Sequence, residues 1–126
     1  MFILGIAIAT VASFIASAAL YAIPAVSTTI ARTSTPRPGV SVVVQMLSVL
    51  VRSLIAACLI AGILIAADWH GPIAGLCLGL ALSVLPLTLL MGGVVHENTA
   101  LSAAAIHLAD WIIKLALIGT IVGLFV

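Results

Sequence analysis

No charged side chain interrupts the chain from Phe2 to Ile23, and a helix of that length, rising about 1.5 Å per residue, can cross the hydrocarbon core of a bilayer. Three further apolar runs follow, Ser41 to Ala67, Ile73 to Met91 and Ala103 to Val126, with Arg52 breaking the second and Asp110 and Lys114 the last. A soluble fold of 126 residues could not bury four such segments. The composition agrees, with 65% hydrophobic residues, 6% charged residues and a mean hydropathy of +1.50, where ordinary soluble domains carry about 25% charged residues. Four scattered basic residues and a net charge of +1 leave no footprint for nucleic acid. The expected fold is an all-α integral membrane bundle of four transmembrane helices. It forms a single domain over 1–126 with spans at about 2–23, 45–67, 73–91 and 104–126, and the lipid bilayer is its solvent.

Pro24 closes the first run. Ala16-Ser17-Ala18 resembles a signal-peptide cleavage site, but no basic n-region precedes the run, so the segment is expected to stay as a span. The Ser/Thr-rich stretch with Pro36 and Pro38 reads as a solvated loop over 25–40. In the second run Ser41, Gln45, Ser48 and Arg52 recur on one helical stripe, which places the Arg52 guanidinium where it can snorkel towards the headgroups. Asp68-Trp69-His70-Gly71-Pro72 reads as a tight turn. Pro86 should kink the third span, with Ser83 and Thr88 placed to satisfy the carbonyl it frees, and Gly92-Gly93 should open the last loop. Arg32 and Arg37 predict a cytoplasmic first loop in a multi-pass cell-membrane protein, which puts both termini outside.

Small residues recur at every fourth position: Gly5, Ala9, Ser13 and Ser17 in the first span, Gly71, Gly75, Gly79 and Ser83 in the third, and Gly119 and Gly123 in the fourth. Such stripes let helix backbones approach closely, within a chain or between copies. His107, Asp110 and Lys114 share one face of the fourth span, with Trp111 one turn beyond His107. Buried ionisable groups suit a proton or ion relay. The i,i+4 spacing of Asp110 and Lys114 favours instead a self-neutralised pair that locks helices in register. Counting along the spans puts Arg52 and Asp110 at comparable depth from one side, so an interhelical ion pair is expected, with Lys114 competing for the carboxylate. His96, Glu97, His107 and Asp110 offer metal-ligand chemistry without a metal-site spacing. No hydrolase, protease or phosphate-loop motif is present, and Cys58 and Cys77 lie inside apolar runs. Neither a metal, a cofactor nor a catalytic set is expected.

The stretch from Glu97-Asn98-Thr99-Ala100-Leu101 through Ala109-Asp110-Trp111 to Ile118-Gly119-Thr120-Ile121-Val122-Gly123-Leu124-Phe125 resembles the close of the bacterial family catalogued as domain of unknown function 1761. Ala109, Trp111, Gly119 and Gly123 fit that family's last helix, and Tyr21, Pro24 and Pro86 extend the likeness. The resemblance implies a small four-helix membrane protein and carries no activity. Asp110 and Lys114 within the last helix, and the lack of a Trp beside Tyr21, depart from the pattern. A fainter likeness, running from Arg52 through Leu85-Pro86 to Lys114, is to ATP synthase subunit I, with an extra helix at the N-terminus here. The expected role is an accessory or assembly subunit packing against a larger membrane complex. The alternatives are a small transporter or channel formed by a homo-oligomer and, least favoured by the residues, a membrane enzyme.

Overall fold

A computed structural model describes residues 1–126 as six helices and no strands. α1 runs from Phe2 to Ala22, α2 from Pro24 to Thr33, α3 from Val42 to Ala66, α4 from Gly71 to Leu82, α5 from Val84 to His96 and α6 from Leu101 to Leu124. α4 and α5 together make one crossing, so four helical segments are long and apolar enough to span a membrane: Phe2–Ala22, Val42–Ala66, Gly71–His96 and Leu101–Leu124. The chain is a multi-pass, all-α membrane protein.

Contacts fix which ends lie together. Tyr21 at the end of α1 meets His107 near the start of α6, whereas Gly5 near the start of α1 lies against Phe125 at the end of α6. The turn between α3 and α4 reaches that second end through His70, whose Nδ1 lies 2.9 Å from the main-chain oxygen of Val126. Its Nε2 is 2.8 Å from Asp68 Oδ1. These two hydrogen bonds, that to Val126 first, raise the His70 pKa above its ordinary value. Asp68 sits in the left-handed region at φ 57°, and Trp69 N donates to Leu64 O while Asp68 N donates to Ile65 O. This is a Schellman stop for α3.

The closest packing joins α4 to α6 in antiparallel register. A Cβ built on Gly75 would collide with the Gly119 carbonyl, one on Gly119 with the Gly75 carbonyl, one on Gly79 with that of Leu115, and one on Gly123 with that of Gly71. Only glycine lets the two backbones approach this closely, and in lipid such contact is a main source of helix association. Beside this seam the core contains Ala9 of α1, Ala57, Ile60 and Leu64 of α3, and Ile118 and Val122 of α6.

Three sequence expectations need correcting. Part of the stretch expected as a solvated loop, 25–40, is the helix α2: Pro24 occupies its first turn, where a missing N–H costs nothing. Thr29 and Thr33 turn their hydroxyls onto the carbonyls of Ala25 and Thr29, at 2.8 and 2.7 Å, instead of competing with the helix. Gly92 and Gly93 do not open a loop either. α5 passes through both to His96, because lipid supplies no water to compete for helical hydrogen bonds, and only Glu97 to Ala100 connect it to α6. The third crossing breaks at Ser83, three residues before Pro86. Ser83 Oγ donates to Gly79 O and Thr88 Oγ1 to Leu85 O, so neither reaches the Leu82 carbonyl that Pro86 leaves without its helical donor.

Candidate functional site

The polar residues gather where α1 crosses α6. Ser13, Ser17 and Tyr21 share one face of α1 at intervals of four, and His107, Asp110 and Lys114 share one face of α6. Ser17 Oγ donates to Asp110 Oδ1 at 2.6 Å. Asp110 Oδ2 lies 3.5 Å from Lys114 Nζ, one turn along α6. Tyr21 Oη and His107 Nδ1 are 2.7 Å apart, the proton's side depending on the imidazole tautomer. Lys114 is 1% exposed and Asp110 8%, so the pair is sequestered from lipid inside the protein. Such burial is tolerable because each charge faces its opposite and the carboxylate also accepts from a hydroxyl.

The Arg52–Asp110 ion pair expected from depth counting is absent. Both Asp110 oxygens are engaged, by Ser17 and by Lys114. The Arg52 guanidinium carbon instead lies 6.0 Å from the centre of the Trp111 ring, and Lys114 Nζ lies 5.0 Å from it. Depth along two helices is only half of the geometry. Asp110 faces α1, while Arg52 reaches α6 by way of Trp111, at the rim of an apolar cleft of about 400 Å³.

The site residues singled out from sequence fall into two places. His107, Asp110 and Lys114 form the polar column with α1, and Arg52 stands apart from it. Gly75, Gly79, Gly119 and Gly123 form the α4–α6 seam, and Ser83 ends it, buried and bonded to its own helix. Sequence reasoning missed the partners supplied by α1, Ser17 and Tyr21. Their signal was present in the every-fourth-residue spacing that links Ser13, Ser17 and Tyr21, but Ser17 was read only as a packing residue. It also missed Ser53, fully buried on α3, whose Oγ has no hydrogen-bond partner.

Chemically the column is short. From His107 to Lys114 it covers about 10 Å of helix rise, and the interior towards the far end is closed by Ile60, Leu64, Ile118 and Val122, each without exposed surface. Ser13 and Thr10 further along α1 donate to their own helix, at 3.0 and 2.7 Å, and do not extend the column. No group of three His, Cys, Asp or Glu side chains converges as a metal site would require.

The family whose description reads "Protein of unknown function (DUF1761)" matches residues 4–123. The chain belongs to this family. Among the residues that carry the likeness in this DUF1761 chain, Tyr21 bonds His107, Trp111 lies beside Lys114 and Arg52, and Gly119 and Gly123 sit in the seam with α4. No curated protein and no solved structure matches the chain, so the fainter likeness to ATP synthase subunit I gains no support.

Proposed function

We propose that this protein is an accessory or assembly subunit that packs within the bilayer against a membrane partner. The observation that carries this reading is α5, which forms half of the third crossing and contributes no buried residue. Leu89 is 77% exposed and Val95 74%, and apolar clefts of about 400 and 270 Å³ flank the helix on its two sides. The interior polar groups, by contrast, are largely spent on one another, and the links between helices are too short to hold a soluble binding domain. Arg32 and Arg37 support a cytoplasmic placement of the end that carries them, with both termini outside a cell membrane. A Ser34→Cys variant lacking Cys58 and Cys77 should then resist an impermeant thiol reagent added to intact cells, and ready labelling would reverse the orientation.

A transporter formed by a homo-oligomer is the second reading, favoured by the buried Asp110–Lys114 pair and the unpartnered Ser53 hydroxyl. Native mass spectrometry of the detergent-extracted protein discriminates between the two. A stoichiometric complex with a different membrane protein, lost when Leu89 and Val95 are changed to Ser, supports the accessory role. A homo-oligomer whose proton flux into liposomes falls with Asp110→Asn supports the transporter, and a monomer without flux overturns both.

A further inference from the structure

We propose that the cleft between α3, α5 and α6 is a binding site for an anionic phospholipid, with the acyl chain along its leucine walls and the phosphate on Arg52. The cleft opens where the glycine seam runs out. Up to Gly79, which meets the Leu115 carbonyl, the backbones of α4 and α6 touch, but from Leu115 to Trp111, towards the break at Ser83, α6 carries large side chains where glycine stood before. The space holds about 400 Å³ between Ile55 and Leu59 of α3, Leu85 and Leu89 of α5, and Trp111 and Leu115 of α6. Such walls accept hydrocarbon and nothing polar.

Arg52 is the only charged residue lining the cleft. It is exposed, and no carboxylate lies within 4 Å of it, since the ion pairs formed are Asp110–Lys114 and Asp68–His70. Its place along the membrane normal is set by Trp111, which stands one turn, about 6 Å, deeper than His107. His107 in turn lies level with Tyr21 at the end of α1. Trp111 is the eleventh of the 24 residues of α6, so the guanidinium has to snorkel towards the headgroups at the Tyr21 end, its stem lying on the indole and the phosphate drawn inwards to meet it. A planar guanidinium donates two parallel hydrogen bonds to a phosphate, a geometry that a zwitterionic headgroup partly offsets with its own ammonium. Arg32 and Arg37 in the connection between α1 and α3 add to the positive potential at the same end. The lipid site shares its Leu89 wall with the face of α5 offered to a partner above, but its test uses the isolated chain in vesicles, so it can fail or succeed whether or not a partner exists.

The test uses the full chain carrying Trp69→Phe, which leaves Trp111 as the sole indole of the two in the sequence. The protein is placed in vesicles where either phosphatidylglycerol or phosphatidylcholine carries brominated chains, and the quenching of Trp111 is titrated. Phosphatidylglycerol should be preferred roughly five-fold at this site, the discrimination one basic residue provides near a charged bilayer surface. Arg52→Gln should abolish the preference, whereas Arg32→Gln should leave most of it. Equal quenching by both lipids, or an equal loss in the two variants, would assign any preference to the diffuse basic surface and overturn the proposal. Relief of quenching by inorganic phosphate at constant ionic strength would overturn it in favour of a free-anion site.

Discussion

Gly75→Ala adds one methyl group at the tightest part of the fold. The new Cβ would sit 2.7 Å from the Gly119 carbonyl carbon and 3.3 Å from Gly123 Cα, where ordinary contact begins at 3.4 Å. Each obstacle is backbone, so no side chain can rotate away and the helices must part by at least about 1 Å. Parting of that size forfeits a quarter to a half of the dispersion well for atoms along the seam, and overpacking of this kind costs about 1–3 kcal/mol. The higher helix propensity of alanine returns little, because α4 is helical in the membrane before it packs. Gly62→Ala is the internal control, since a Cβ there meets nothing within 4 Å. Unfolding by titration with SDS against mixed micelles, followed by circular dichroism and fluorescence, should show Gly75→Ala destabilised in that range and Gly62→Ala unchanged within about 0.5 kcal/mol. Equal midpoints for the two variants would mean that the α4–α6 contact contributes no stability, and the account of the seam would fail.

Three further outcomes follow from the polar groups. Asp110→Leu leaves Lys114 buried without its counter-charge and should cost about 3–5 kcal/mol, while the double change Asp110→Leu with Lys114→Met should cost markedly less. The same assay should find Arg52→Leu coupled to Asp110→Leu far more weakly than Lys114→Met is, since only Lys114 touches the carboxylate and Arg52 reaches it through the shared Trp111, and an equal coupling of the two pairs would contradict the geometry. His70 gains hydrogen bonds on folding that raise its pKa above 6.5, so its contribution is complete below pH 6.5 and is lost as pH rises through the raised value. Protection of the amides at the end of α6, corrected for the intrinsic pH dependence of exchange, should fall across that window in the native chain and stay flat in His70→Ala.

How much of this was legible in the sequence differs from one element to the next. The four crossings were legible because lipid forces long uniform apolar runs, and the differences of up to five residues at their ends, the largest at His96, reflect how weakly such runs mark a helix terminus. α2 was not legible, since Ser and Thr favour loops until their hydroxyls find i−4 carbonyls, as Thr29 and Thr33 do. Small residues at every fourth position marked faces that can pack but not their partners. That Gly75 meets Gly119, and Ser17 meets Asp110, depends on which way each stripe turns about its helix axis, and one sequence holds no measure of that rotation. Arg52 shows the same limit: its depth was readable and its bearing was not.

The hydrogen bond between Ser17 and Asp110 joins residues 93 positions apart, and that interval is also a waiting time. At about 5–20 residues per second a ribosome takes roughly 5–20 s to travel between them, so α1 is made and placed well before its acceptor exists. α6 is the least apolar crossing, with a mean hydropathy of 1.7 against 2.3 to 2.5 for the other three. Each charge at the middle of a lone helix is charged about 2.5–3.5 kcal/mol by the insertion machinery. A segment carrying both Asp110 and Lys114 is therefore a poor candidate for entry by itself. The helices already in place offer it a hydroxyl at the right level and a row of glycines to lie against. Biosynthesis of this protein then has a built-in order of dependence, in which the final helix enters the membrane by joining its own predecessors, and a chain with a defective α1 or α4 would be expected to leave α6 stranded for the quality-control proteases.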